Sequence, residues 1–209
     1  MPSAYTACTL LADGSSDRTL IPLLELLLDV HCPHAYSIEF ANPQIPAGKR
    51  TLSQRIASAL DLYPCDLLFV HRDAEKAAPT LRDAEIQTAM TELGLALPHV
   101  CIIPVRMTES WLLVDEAAIR RAAGNPQGKM ALGLPAASRV ESLPDAKETL
   151  FEALRTASGL APQRLQRFAP EQVRHRVSEL ITDLAALQRI PSFQHLETQV
   201  SAFFERPER

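Results

Sequence analysis

The chain has 209 residues, 46% hydrophobic and 22% charged, enough to bury one substantial core with a small helical addition but short of two full domains. Its formal net charge of −4 argues against a protein that coats nucleic acid through bulk electrostatics, because that requires a basic face. The first twenty residues carry neither a basic n-region nor a long apolar h-region, and no apolar run reaches the roughly 18 residues of a membrane span, so a soluble, cytoplasmic protein without a membrane partner is expected.

In chain order the hydrophobic periodicity predicts a strand at 5–12, a helix at about 17–29, a strand at 36–41, a helix at 51–61, a strand at 66–72, a helix at 79–93, a strand at 99–105 and a helix at 109–123. Such alternation implies an α/β fold with a mainly parallel sheet and helices on both faces. Residues 65–70 and 100–105 are nearly continuous apolar runs, the pattern of central strands covered on both sides. Tyr36-Ser37-Ile38-Glu39-Phe40 alternates instead and reads as an edge strand. Pro22 lies inside an apolar segment and requires its helix to begin close before it or to kink.

From 124 to 146 the chain turns rich in Gly and Pro and periodicity lapses, which reads as a linker or mobile loop. Helical spacing returns at 145–158 and 170–188, where Val173, Val177, Leu180, Ile181 and Leu184 share one face. The expected organisation is therefore an α/β domain over 1–123, a loop over 124–146 and a C-terminal helical extension over 147–209.

Cys8, Cys32, Cys65 and Cys101 form no C-x-x-C pair, and two of them fall in apolar strands, so no disulfide framework is expected. His31-Cys32-Pro33-His34 invites a zinc reading but lacks a second ligand pair at matching spacing. P-loop, dinucleotide-binding and nucleophile-elbow motifs are absent from the sequence.

Acidic clusters stand where the strands run out: Asp13-Gly14-Ser15-Ser16-Asp17 after the first, Asp73-Ala74-Glu75 after the third and Glu109 after the fourth. In an open α/β sheet the carboxyl ends of strands line a shared crevice, so carboxylates distant in sequence can converge on one divalent cation. Gly14 suits a tight turn, and Ser15 or Ser16 is placed to cap the following helix. Asp73 and Glu75, at i and i+2, suit paired ligation of Mg²⁺. His71-Arg72 beside them reads either as phosphate contacts or as an internal ion pair. Each acid also has a plainer reading as a turn residue, a helix-dipole partner or a solvated strand end. Residues 1–100 hold twelve acids against seven Lys or Arg, an excess that a bound cation would relieve. Arg164, Arg167, Arg174 and Arg176 form the densest basic stretch, suited to a phosphate backbone or to a solvated helix surface.

At these residues the chain resembles the Toprim superfamily, the acidic metal-binding fold shared by topoisomerases, primases and OLD nucleases, and in particular small Toprim-like bacterial proteins. Asp13-Gly14-Ser15-Ser16-Asp17, Asp73-Ala74-Glu75 and Glu109-Ser110-Trp111 match its three motifs, while Leu143-Pro144-Asp145-Ala146-Lys147 and Ile190-Pro191-Ser192-Phe193 also look familial. Two departures stand out: Asp13 replaces a usual glutamate, one methylene shorter, and the third-strand motif is D-x-E in place of D-x-D. The resemblance implies a Toprim-like (Rossmann-like) fold and a Mg²⁺- or Mn²⁺-dependent enzyme that cleaves phosphodiesters in nucleic acid, in bacterial defence or DNA processing, beside an ATPase partner. Asp73, Glu75 and Glu109 would hold metal, with Asp13 and Asp17 as the catalytic acids, and Arg72, Arg164, Arg167, Arg174 and Arg176 would meet phosphates. The alternative is a non-catalytic subunit or regulator of a larger complex. A receiver-domain reading lacks its lysine after a fifth strand. If the carboxylates simply crowd one another, Asp73→Ala should leave metal-free stability similar or higher.

Overall fold

Four apolar runs become the strands β1 (Tyr5–Leu11), β2 (Ala35–Ala41), β3 (Leu67–His71) and β4 (His99–Ile102) of one all-parallel sheet in the order β2-β1-β3-β4. The structure is a computed structural model describing residues 5–41, 51–182 and 184–205. Parallel pairing forces crossover connections, and these are α1 (Ile21–His31), α2 (Leu52–Leu62) and α3 (Pro79–Glu92). The period of two along a strand splits the core. Cys8, Leu10, Leu67, Phe69, Val100 and Ile102 meet Leu23, Leu24, Leu27 and Leu28 of α1 on one face. Leu11, Leu68, Val70 and Cys101 meet Ile56, Ile86 and Met90 of α2 and α3 on the other. Each fully buried leucine contributes about 1.5–3 kcal/mol. The result is the expected Rossmann-like α/β arrangement.

Past β4 the chain is helical: α4 (Glu109–Leu112), α5 (Glu116–Ala122), α6 (Ala146–Ser158), α7 (Pro162–Leu165), α8 (Pro170–Leu180), α9 (Leu184–Leu187) and α10 (Pro191–Phe204). Proline stands in the first turn of α1, α3, α7, α8 and α10, where its missing N–H costs nothing. Pro22 thus opens α1 without kinking it. The helix expected at 109–123 is divided because the Asp115 carboxylate accepts from the Ala118 N–H at 2.8 Å and starts α5 afresh. At 170–188 the extended backbone of Ile181 separates α8 from α9. Leu150, Leu154, Val177, Leu187, Phe193, Leu196 and Val200 of these helices join the same core as α1.

The segment 124–146 is anchored rather than loose. Gly124 and Gly133 adopt left-handed backbone at φ 78° and 64°, Asn125 Nδ2 donates to the Ala157 carbonyl at 2.9 Å and Arg120 Nη2 to the Met130 carbonyl at 2.7 Å. No helix among the described residues is long and apolar enough to cross a membrane.

β2 is an edge strand, as its alternation implies, but β4, read from its apolar run as central, is the opposite edge. Its open edge is covered by α10. The Gln199 side chain accepts from the Cys101 N–H at 3.0 Å and donates to the Cys101 carbonyl at 3.1 Å, so a side-chain amide takes the place of a fifth strand.

Candidate functional site

Strand order reverses between β1 and β3, which opens a crevice at their carboxyl ends. β1 delivers a 3-10 turn, Ser15–Leu20, closed by the Asp17 N–H to the Gly14 carbonyl at 3.2 Å and by the Gly14 N–H to Asp17 Oδ2 at 2.9 Å. Asp17, not Ser15 or Ser16, is therefore the side chain that closes this turn. β3 ends on His71, and backbone pairing continues beyond the strands from Arg72 to Ile102, Ala74 to Pro104 and Glu75 to Arg106, each at 3.0 Å. Glu75 and Arg106, facing each other at the end of this ladder, are left-handed at φ 54° and 65°. Such backbone costs a non-glycine residue about 1–2 kcal/mol and concentrates beside functional sites.

His71 is the centre of the arrangement. Its side chain is 1% exposed, with Nδ1 3.4 Å from Asp17 Oδ2 and Nε2 3.2 Å from Asp73 Oδ1. Thr108 Oγ1 sits 3.3 Å from His71 Nε2 and donates to Asp73 Oδ1 at 3.4 Å. Burial pushes the imidazolium pKa down, but the hydrogen bonds and charges of Asp17 and Asp73 outweigh it and raise the value to about 9. Burial likewise opposes the Asp17 charge. His71, the Gly14 N–H and Ser16 still hold the carboxyl below its ordinary range.

Glu109, buried in α4, accepts from Arg174 Nη1 of α8, and Arg174 Nη2 donates to the Ser16 carbonyl at 3.3 Å. Asp17, Asp73, Thr108, Glu109, Lys147 and Arg174 line one cavity of about 210 Å³. Lys147 lies in the first turn of α6, where the helix dipole disfavours a cation. Among the described residues its ammonium has no carboxylate partner and lies 5.7 Å from the Phe151 ring.

The crevice thus brings together Asp17, Asp73, Glu109 and Arg174 of the residues singled out from sequence. Asp13 points away, held by Arg55 Nη1 at 2.7 Å and Arg72 Nε at 3.1 Å, and Arg72 also pairs with Glu85 at 3.4 Å. Glu75 is exposed and lies 3.6 Å from Arg82, which also donates to the Asp73 carbonyl at 3.2 Å. Arg164 on α7, Arg167 in the turn after it and Arg176 on α8 are exposed, outside the cavity lining. Of the two readings of His71-Arg72, the structure shows internal ion pairs for both residues, Lys147 reaches the cavity from the familial 143–147 segment, and Thr108 was not singled out from sequence. The position of His71 in a strand buried on both faces was the available signal, and its parity puts it on the α1 side with Leu67 and Phe69.

Other chemistries find less support. All four cysteines are free, and burial pushes the Cys8 and Cys101 thiols up to about 12, leaving them unreactive. In the His31–His34 stretch, His31 Nε2 lies 3.2 Å from Glu197, Cys32 Sγ donates to the His34 carbonyl, and His34 Nε2 meets Thr6 Oγ1 at 2.5 Å.

No family model, curated protein or solved structure matches the chain. The crevice offers hard carboxylate oxygens, the donor class that Mg²⁺ or Mn²⁺ takes. Among the described residues, however, no three His, Cys, Asp or Glu side chains are grouped as a metal centre. Asp17 and Asp73 share His71, and Glu109 is paired with Arg174. The donor chemistry fits a divalent cation that uses one or two protein carboxylates and fills its remaining positions with water and substrate.

Gly14 yields a direct prediction. Its φ of −148° is extended, and a Cβ there would meet only Ser16 Oγ at 3.8 Å, so neither backbone nor packing demands glycine. Gly14→Ala should hold or raise stability, by up to about 1 kcal/mol through the unfolded chain. A drop of more than that in urea denaturation would refute this account of the turn.

Proposed function

We propose that the protein is a divalent-metal-dependent enzyme cleaving phosphodiesters in nucleic acid, a Toprim-type nuclease acting in bacterial defence or DNA processing, with an ATPase as partner. The observation that carries this reading is the meeting of Asp17, Asp73 and Glu109 with Lys147 and Arg174 in one cavity at the reversal of strand order. Asp73 and Glu109 would hold Mg²⁺ or Mn²⁺, with Asp17 facing the same cavity. Bound there, the cation would polarise a phosphoryl oxygen and help activate water. Lys147 would take a non-bridging phosphate oxygen, because among the described residues it is the lining cation without a carboxylate of its own. Asp17, held charged by the imidazolium of His71, would accept a hydrogen bond from the attacking water and orient it. Asp13, spoken for by two arginines, has no part in this scheme.

The test is cleavage of labelled single- and double-stranded DNA and RNA with Mg²⁺, Mn²⁺ or EDTA, wild type beside Asp73→Ala. Metal-dependent cutting that Asp73→Ala abolishes is the expected result, and undiminished cutting by the variant rules the scheme out. Stability gives a second readout whose sign reverses the expectation from carboxylate crowding. Asp73 partners a buried imidazolium, so in EDTA Asp73→Ala should lose about 1.5–3 kcal/mol, the scale of a hydrogen bond to a charged group.

The non-catalytic reading draws on one observation: His71 and Arg174 already neutralise every carboxylate that lines the cavity. A pure protein that cuts none of these substrates, while binding a partner through this face, would favour it.

A further inference from the structure

Arg174 reaches the crevice from the C-terminal helices, joining Glu109 beside the exit of β4 to the Ser16 carbonyl beside the exit of β1. It also lines a second cavity, of about 370 Å³, whose wall includes Glu171, His175 and Glu179. The two cavities share Ser16, Thr19 and Arg174, so the guanidinium stands between them. Glu171 is exposed and lies three residues earlier on α8, the spacing at which helical side chains meet. Among the described residues Glu171 has no ion-pair partner. Arg174 therefore has one carboxylate inside the crevice and an uncommitted one on its own helix, with open volume beside it.

We propose that Arg174 is an autoinhibitory latch: paired with Glu109 it withholds that carboxylate from a divalent cation, and crossing to Glu171 releases it. This presupposes the metal-dependent reading above and names its control element. The two cations that pair with the carboxylates of the crevice differ in how freely they can leave. His71 is fixed in β3 with its side chain 1% exposed, so it cannot withdraw without opening the core. Arg174 is 15% exposed at the end of a long side chain, and its neighbouring cavity is already formed. The released state also restores the usual composition of such a site, carboxylates facing a hard cation.

The experiment is Mn²⁺ titration of the full chain, following free Mn²⁺ by electron paramagnetic resonance, with wild type, Arg174→Ala, Glu171→Gln and Asp73→Ala. Arg174→Ala should bind about tenfold more tightly than wild type, the factor equivalent to one charge-assisted pair. Glu171→Gln, which removes the alternative partner, should bind several-fold more weakly, and Asp73→Ala should bind little. Glu171→Gln changes an exposed residue and carries the test alone if circular dichroism shows Arg174→Ala to be unfolded. Equal affinity in wild type, Arg174→Ala and Glu171→Gln, with binding still lost in Asp73→Ala, overturns the latch and leaves the metal-dependent reading standing. Weaker binding by folded Arg174→Ala overturns it in the same way. Absence of Mn²⁺ binding in wild type and Arg174→Ala alike overturns both.

Discussion

Replacing His71 with alanine should destabilise the fold by about 3–5 kcal/mol, the range for removing one partner of a buried charge pair. Asp17 and Asp73 keep side-chain exposures of 15% and 30%, so water relieves part of their loss and the value should fall near the lower end. The pH dependence identifies the cause. The folded-state pKa of His71 is raised from its ordinary 6.5 to about 9, so its stabilisation is fully present below pH 6.5 and is lost as pH rises through 9. At ~1.4 kcal/mol per pKa unit the wild type should lose about 3 kcal/mol across that window. Asp17 acts at the other end: its pKa is lowered from 3.8, so its contribution holds above that value and is lost as pH falls below it. Cys8 and Cys101, raised from 9.0 to about 12, weaken the fold only above pH 9, which leaves the interval from 6.5 to 9 to His71. Urea denaturation in EDTA should show the wild type declining over that interval and His71→Ala flat. A flat wild-type profile would falsify the bridged imidazolium.

Trp111→Ala should cost a further large amount, about 3–5 kcal/mol, as large aromatic truncations in cores do. Trp111 is fully buried, meets the Phe193 ring edge-on at 5.1 Å between centroids, and donates from Nε1 to Ser192 Oγ at 2.9 Å. It ties α4, which carries Glu109, to the start of α10. The loss is therefore structural and functional together, because the helix that Trp111 anchors carries Glu109 into the crevice. Trp111→Phe keeps most of the volume but leaves Ser192 Oγ without its donor, and it should cost about 1–3 kcal/mol. Denaturation followed by circular dichroism ranks the variants, and near-equal midpoints for Trp111→Ala and wild type would show that α10 is not keyed to this ring. Trp111 is the only tryptophan, so wild-type tryptophan fluorescence, excited at the red edge to avoid tyrosine, reports on this junction.

The periodicity of the chain was enough to read its alternating strands and helices, because period two and period 3.6 are written directly in the apolar spacing of segments such as 67–70 and 21–28. The place of β4 was not legible. A run whose open edge is covered by α10 looks the same as one paired between strands, and the hydrogen bonds from Gln199 come from almost a hundred residues away. Within the crevice, the convergence of Asp17, Asp73 and Glu109 could be anticipated from acids placed after strands. Their partners could not. Which acid meets which cation depends on side-chain direction: Asp13 and Asp17 are four residues apart yet turn to opposite surroundings, one to Arg55 and Arg72, the other to His71. Arg174 and Lys147 arrive on helices whose docking is decided by packing in the core, and no local pattern in their own segments announces it.

The amide of Gln199 also orders events in time. Strands β1 to β4 leave the ribosome before α10, so the nascent sheet carries β4 with an open row of hydrogen-bonding groups until α10 has been made and docked. During that interval β4 can pair with a strand of another molecule, the same hazard that a finished edge strand presents. Biosynthesis of this fold thus has a vulnerable stage that its completed form conceals, and conditions that slow the docking of α10 should send newly made chains to aggregates or chaperones while leaving mature molecules untouched.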